Sequence, residues 1–357
     1  MRNTILLFGS IALTVLCWGM YGPTLLSGQL GMSTIGAKAI FRPFVCVGIA
    51  YFLIGVIVPA LWLHLRGEKG DWTIKGVTWS LAGGALGAIG ALAILLAFKF
   101  GGRPIYVMPL VFGGAPVINA FLTIFMAGRI KEIGPLFLAG LIIVLLGAMV
   151  VLLAAPHPAS PAKAATPSTE SQAASTASAD TKTSSAAASA ESVVWSLILR
   201  SLSIVLVIAS WGAYGPVLHK GQSAMHHSRL RPLICVGISY LVIAVILPYF
   251  FLGEMGEEST YRTLGTLWSL LAGSFGAVGA LGIIMAFNIG GRPVFVMPLV
   301  FGGAPVINTL VTIASTQLWD RVNPFFWAGL ILVVAGSAMV LVLAPRGDGP
   351  APELAQS

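Results

Sequence analysis

Trp18 and Tyr21 stand three residues apart, on one face if the run is helical, and the pair returns as Trp211 and Tyr214. Flat aromatic faces with polar tips suit a sugar or another flat or ring-shaped metabolite. A belt of aromatics at a membrane surface is the other reading of these four residues. Asn119 and Asn308 are a second matched pair, placed in apolar runs. An amide there needs a partner, either another helix or a substrate. Arg42, Arg103, Arg231 and Arg292 each open an apolar run. They can draw in an anion, close alternating gates, or anchor a helix by reaching toward water.

Other chemistries find no footing. The acidic residues, Glu68 and Glu257 among them, fall in loops or polar segments, so no carboxylate stands mid-run as a proton relay does. Cys17, Cys46 and Cys235 have no metal-ligand spacing and read as small core residues. His226 and His227 read as a solvated loop pair. No nucleophile–base constellation, phosphate loop or metal cluster is legible, so neither an enzyme nor a cofactor is expected. The glycine runs GGALGAIG (Gly83 to Gly90) and GSFGAVG (Gly273 to Gly279) look superficially like a dinucleotide loop. No strand precedes them, and small residues on one helix face serve close packing.

The elements that must hold these residues are membrane helices. The chain has 357 residues, 57% hydrophobic and 9% charged, with mean hydropathy +0.92. Soluble domains carry about a quarter charged residues. The formal charge of +8 therefore speaks of membrane orientation and not of nucleic acid. The lipid bilayer and a small solute are the expected partners.

Two halves are legible. WGMYGP (Trp18 to Pro23) returns as WGAYGP (Trp211 to Pro216), and GGRPIYVMPLVFGGAPVIN (Gly101 to Asn119) returns from Gly290 to Asn308 with only Ile105/Val294 and Tyr106/Phe295 exchanged. Arg42-Pro43 pairs with Arg231-Pro232, and Pro59 with Pro248. The expected architecture is an all-α polytopic membrane protein with ten transmembrane helices in two five-helix repeats, 1–155 and 192–345. The spans are placed near 4–25, 43–65, 77–98, 104–127 and 134–155, then 194–217, 232–252, 264–287, 293–316 and 323–344. Each is about as long as a 30 Å hydrocarbon core requires. An odd number of spans per repeat makes the second copy inverted, the plan of many secondary transporters. Residues 156–191 are Ala, Ser, Thr and Pro with scattered charges and read as a disordered tether, and 346–357 as a flexible tail. A slight excess of Lys and Arg on the N-terminal side places both termini in the cytoplasm and the tether outside.

The Gly/Pro-rich stretch is expected to interrupt its helix. Pro109 and Pro116 each remove a backbone donor, freeing the carbonyls of Ile105 and Phe112, with Gly113 and Gly114 beside them. Pro298, Gly302, Gly303 and Pro305 repeat the pattern. Interrupted segments in matching positions point to a transporter's binding site, here walled by spans 1, 4, 6 and 9.

Taken in order, these features resemble the drug/metabolite transporter superfamily in its ten-helix form with two EamA-like repeats. The carrying residues are Trp18-Gly19 and Trp211-Gly212, Arg42 and Arg231, the turns AFKFGG (Ala97 to Gly102) and AFNIGG (Ala286 to Gly291), and Pro116 and Pro305. GRIKEIGPLFLAGLIIVLLGAMVV (Gly128 to Val151) follows, with Glu132 near an acidic position of the family. Asp320 and Arg321 depart from the Gly-Glu-Arg-like turn, and the long tether is unusual. Met108-Pro109, Met297-Pro298 and the WGxYGP ends look like the glucose and rhamnose uptake branch. The resemblance implies alternating-access movement of a small metabolite across the inner membrane. The expected function is thus a secondary transporter of a small polar metabolite such as a sugar, working by uniport or exchange. A non-transporting membrane scaffold or accessory subunit, or a flippase for a lipid-linked substrate, is the alternative.

Overall fold

A computed structural model describes residues 2–34, 38–126, 128, 130–156, 179–226, 228–251, 257, 260–291 and 293–343. The secondary structure among the described residues is helical, without a strand. The long helices are α1 (Arg2–Met32), α2 (Phe41–Arg66), α3 (Ile74–Lys99), α4 (Pro104–Met126) and α5 (Pro135–Ala154). After them come α6 (Ala179–Ala224), α7 (Leu230–Phe250), α8 (Thr263–Asn288), α9 (Pro293–Thr316) and α10 (Pro324–Val342). Among the described residues nine helices are long and apolar enough to cross a membrane, and α10 carries a shorter apolar stretch, Pro324–Val340. The outer faces agree with lipid as the solvent: Ile142, Leu145 and Leu153 of α5 are exposed.

Helices of one half pack mainly on the other. α1 lies along α8 and α9, and α6 lies along α3 and α4. α2 meets α8, α7 meets α3, and α5 meets α10. Lipid gives apolar side chains no reason to prefer each other, so close backbone approach must hold such pairs together. A methyl on Gly31 of α1 would meet the Gly265 Cα of α8 at 2.8 Å, so these two helices touch at backbone distance.

The expected interruption of α4 and α9 is not found; both run unbroken through their prolines. Two missing donors leave the remaining ladder of each helix intact, and membrane helices tolerate this where neighbours surround them. Gly113 and Gly114 are packing positions. A methyl would meet Val333 of α10 at 2.7 Å on Gly113 and Ile208 of α6 at 2.7 Å on Gly114. Gly302 and Gly303 similarly face Val334 and Val15.

The irregularity lies instead in α2 and α7. Leu53–Ile57 and Leu241–Ile246 form wide turns in which the Val58 N–H donates to Leu53 O and the Leu247 N–H to Val242 O, five residues back. Pro59 and Pro248 follow directly. A proline ring crowds the carbonyl four residues earlier, and a widened turn relieves that clash.

The tether expectation changes at its C-terminal end. Helix α6 begins at Ala179, inside 156–191, because the Ala-rich composition there favours helix over coil. Residues 157–178 of the tether and the 346–357 tail lie outside the described residues.

Candidate functional site

A cavity of about 40 Å³, room for a few waters, lies inside the bundle. Its walls come from α1–α4 and α6–α9, so the expectation of spans 1, 4, 6 and 9 widens to eight helices. Tyr51, one of the lining residues, stands about 15 Å from the Phe41 end of α2 and about 22 Å from the Arg66 end, at 1.5 Å per residue. The cavity is therefore deep between the two ends of the bundle.

The four aromatics singled out in the sequence meet there. Trp18 lies edge-on to Tyr214 at 6.3 Å and Tyr21 edge-on to Trp211 at 5.8 Å, so each half's tryptophan packs on the other half's tyrosine. They are interior residues and not an interfacial belt. Each indole is held by a glycine-rich helix: Trp18 Nε1 donates to Gly276 O at 3.4 Å, and Trp211 Nε1 to Gly87 O at 3.3 Å. A methyl on Gly279 would sit 2.2 Å from Trp18, and one on Gly90 would sit 2.1 Å from Trp211. The glycine runs of α3 and α8 thus make room for rings as well as for neighbouring helices.

Sequence reasoning missed Tyr51 and Tyr240. They stack face to face in the cavity wall, centroids 3.6 Å apart and planes within 3°. Each stands just before a widened turn. The available signal was their matched placement after the already paired Cys46 and Cys235. Phe112 and Phe301, 6.2 Å apart, complete the aromatic lining.

The hydroxyls of Tyr21 and Tyr214 are buried and have no partner among the described residues. No carboxylate, lysine, arginine or histidine stands among the described residues that line the cavity.

Asn119 and Asn308 do not line the cavity. Asn308 Nδ2 donates to Pro104 O of α4 at 3.0 Å, a helix-to-helix bond across the halves. The two amides pack beside Gly215 and Gly22 respectively.

Arg42, Arg103 and Arg231 are also displaced from the cavity. Arg42 is buried at the start of α2, its Nε 3.2 Å from Glu257 Oε1 and its Nη2 2.8 Å from Met32 O, with Nη1 bonded to Thr260 O. The Glu257 carboxylate also accepts the backbone N–H groups of Ile40, Phe41 and Arg42, capping α2 from the loop before α8. An anion at a helix N-terminus is favoured by the unpaired donors and the helix dipole.

The same device closes the other end. Gly67, at φ +64, turns the chain out of α2, a conformation glycine adopts without strain. Glu68 then accepts the N–H groups of Arg229 and Leu230 at the start of α7, the Ser228 hydroxyl at 2.7 Å and Arg229 Nε at 2.9 Å. Arg231 Nη1 stands 3.7 Å from the same carboxylate. Burial alone raises the Glu68 carboxyl; the bonds from Ser228, Arg229 and Leu230 outweigh it and hold it below the usual carboxylate range. Both acids read in the sequence as ordinary loop charges, although they fall at corresponding places behind α2 and α7. Of the other two arginines, Arg103 Nη1 makes a long bond to Pro156 O at 3.5 Å, and Arg292 lies outside the described residues.

No family model matches this chain, and no curated protein does. Fifteen chains among solved structures are similar to it. One crystal structure is similar over 96% of this chain and 97% of its own, with a TM-score of 0.56 and 17% identity. Likeness at that identity is one of fold and does not carry a function.

Proposed function

We propose that the chain is a secondary transporter of the drug/metabolite transporter superfamily, moving a small polar metabolite by alternating access. The observation that carries this reading is the cavity deep in a multi-pass helical bundle, lined by matched residues of both halves. A scaffold has no need of two buried tyrosines beside an internal space whose hydroxyls lack a partner among the described residues. Two inverted five-helix repeats, making ten transmembrane helices in the inner membrane with both termini cytoplasmic, account for the crossed pairing of α1 with α8 and α6 with α3. The ordered motifs from Trp18-Gly19 to Pro305 support the superfamily assignment.

The two glutamate clamps supply the gates in this mechanism. The Arg42–Glu257 and Arg231–Glu68 contacts lie at opposite ends of the α2/α7 pair, and both are made in this structure. At about 40 Å³ the cavity as it stands is too small for a metabolite. Release of one clamp frees one end of α2 or α7 and lets the cavity widen toward that side. Release of both together would open a leak, so the clamps open in turn. In the absence of a carboxylate at the cavity, movement is by uniport or exchange.

The test is solute counterflow in proteoliposomes holding the full chain. Accumulation of a labelled solute driven by unlabelled solute inside, lost in Trp18→Ala and Trp211→Ala, is the expected result. No movement of any solute in a panel of sugars, nucleobases, amino acids and organic anions would count against transport. Movement that strictly requires a proton gradient would count against uniport and exchange.

A further inference from the structure

The glutamate clamps and the widened turns belong to the same two helices. In α2, Leu53–Ile57 divides two segments of opposite character. Before it, Phe41–Phe52 packs on α8 and α7, and Phe44, Val47 and Tyr51 are buried. After it, Val58–Arg66 packs chiefly on the start of α7, and Val58, Leu61, Trp62 and Leu65 are more than half exposed. In α7, Leu241–Ile246 makes the same division. Leu233, Val236 and Tyr240 before it are buried, while Tyr249 and Phe250 after it are exposed. Each trailing segment leads to a clamp. Val58–Arg66 runs through Gly67 to Glu68, which holds the start of α7. Leu247–Phe251 leads into the loop of Glu257, which holds the start of α2.

We propose that the two widened turns are hinges, and that Val58–Arg66 and Leu247–Phe251 are arms that swing about them to make and break the clamps. The use given to these hinges rests on the transport reading above; their bending does not. Three observations carry the proposal. Bonds that reach five residues back, followed by a proline that offers no donor, leave the ladder weakest at these turns, and sharp helix bends fall at such places. The exposed face of each arm meets lipid, which offers no fixed partner, so the arm is positioned by its hinge and by the acid at its end. The two helices also approach closely at the turns themselves. A methyl on Gly55 would stand 3.4 Å from Gly237 Cα, and one on Gly48 would stand 2.7 Å from Val245. The leading segments are therefore held together where Tyr51 stacks on Tyr240, and movement falls to the arms beyond. An arm of nine residues is about 14 Å long, so a bend of about 20° carries its end about 5 Å. That is enough to part Glu68 from Arg229 Nε, 2.9 Å away in the clamp.

Distances between spin labels on the full chain in nanodiscs test this, with the buried Cys17, Cys46 and Cys235 changed to alanine. One label pair joins Leu65, at the end of the arm, to Leu136, at the start of α5. A second joins Ile49, before the turn, to Leu136. The expected result is that Glu68→Ala shifts the first distance by about 5 Å and leaves the second at its parent value. Pro59→Ala restores a donor and removes the ring that crowds the Gly55 carbonyl, and it abolishes that shift. With both clamps intact, Pro59→Ala alone narrows the first distance distribution and not the second, which keeps the test decisive if Glu68→Ala does not fold. Equal shifts in both pairs overturn the proposal, because α2 then moves as one rod. So does an unmoved arm in folded Glu68→Ala, or a shift and width that Pro59→Ala leaves unchanged. Counterflow separates the hinges from transport. Arms that bend in a chain that moves no solute would sink transport and leave the hinges standing. Counterflow at the parent rate in Pro59→Ala with Pro248→Ala would leave transport standing and overturn the hinges.

Discussion

Arg42 and Glu257 meet at 3.2 Å although they stand 215 positions apart in sequence, and the arginine is 2% exposed. The acid caps the helix on which the arginine stands, so one carboxylate fixes both the backbone and the side chain at that end of α2. Glu68 holds the start of α7 in the corresponding way, and each half thereby closes the other.

Glu257→Ala leaves a buried guanidinium without its counter-charge and three backbone donors without an acceptor. The expected loss is about 3–5 kcal/mol, the usual effect of breaking one side of a buried pair. A large drop in melting temperature in detergent checks it. The double variant Arg42→Leu with Glu257→Ala recovers part of the loss, since no buried charge is then left alone; no recovery at all would place the stabilisation in the capping bonds.

Glu68 gives a pH dependence. Its carboxyl is held below the ordinary value, about 4.3, so its contribution to stability is complete above that value. It is lost as pH falls through the lower folded-state value. Melting temperatures of the parent and Glu68→Gln should differ most at neutral pH and converge toward pH 3. A gap that widens on acidification would contradict the assigned partners.

Gly276→Ala and Gly87→Ala should differ although the two positions match. A methyl on Gly276 falls 2.6 Å from the Tyr51 hydroxyl, while one on Gly87 falls 3.1 Å from Tyr240. Gly276→Ala therefore drives Tyr51 off its stack and costs about 1–3 kcal/mol through overpacking. Gly87→Ala costs less. Near-ultraviolet circular dichroism, sensitive to the stacked tyrosines, should change more in the first variant.

Asn308→Ala removes a buried bond to Pro104 O. Side-chain bonds between membrane helices are worth about 0.6–1.7 kcal/mol, so a modest fall in melting temperature is expected. Affinity for a cavity ligand stays at the parent value. A selective loss of affinity with an unchanged melting curve would put the amide against the substrate.

Much of the cavity could be read in advance. Trp18, Tyr21, Trp211 and Tyr214 showed themselves through matched types and spacing, and all four line it. Asn119 and Asn308 carried the same kind of signal and lie elsewhere, because an amide in an apolar run is equally served by a neighbouring carbonyl. The reading of Pro109 and Pro116 as a break failed for a related reason. A proline removes one donor locally, but whether the helix opens depends on the neighbours that fill Gly113 and Gly114. Pro59 and Pro248 drew no such expectation and yet follow the two widened turns.

The sequence by itself determined that the chain lives in lipid, that it consists of two matched halves, and which aromatic residues recur. Hydropathy and repetition are properties of the chain read locally, and packing does not alter them. Only the tertiary structure decided that the halves interleave, that Glu68 and Glu257 each cap the other half's helix, and that Tyr51 stacks on Tyr240. Those choices depend on which surfaces approach closely enough to exclude lipid and water. A carboxylate in a loop is a solvated charge until a helix N-terminus and an arginine are brought against it.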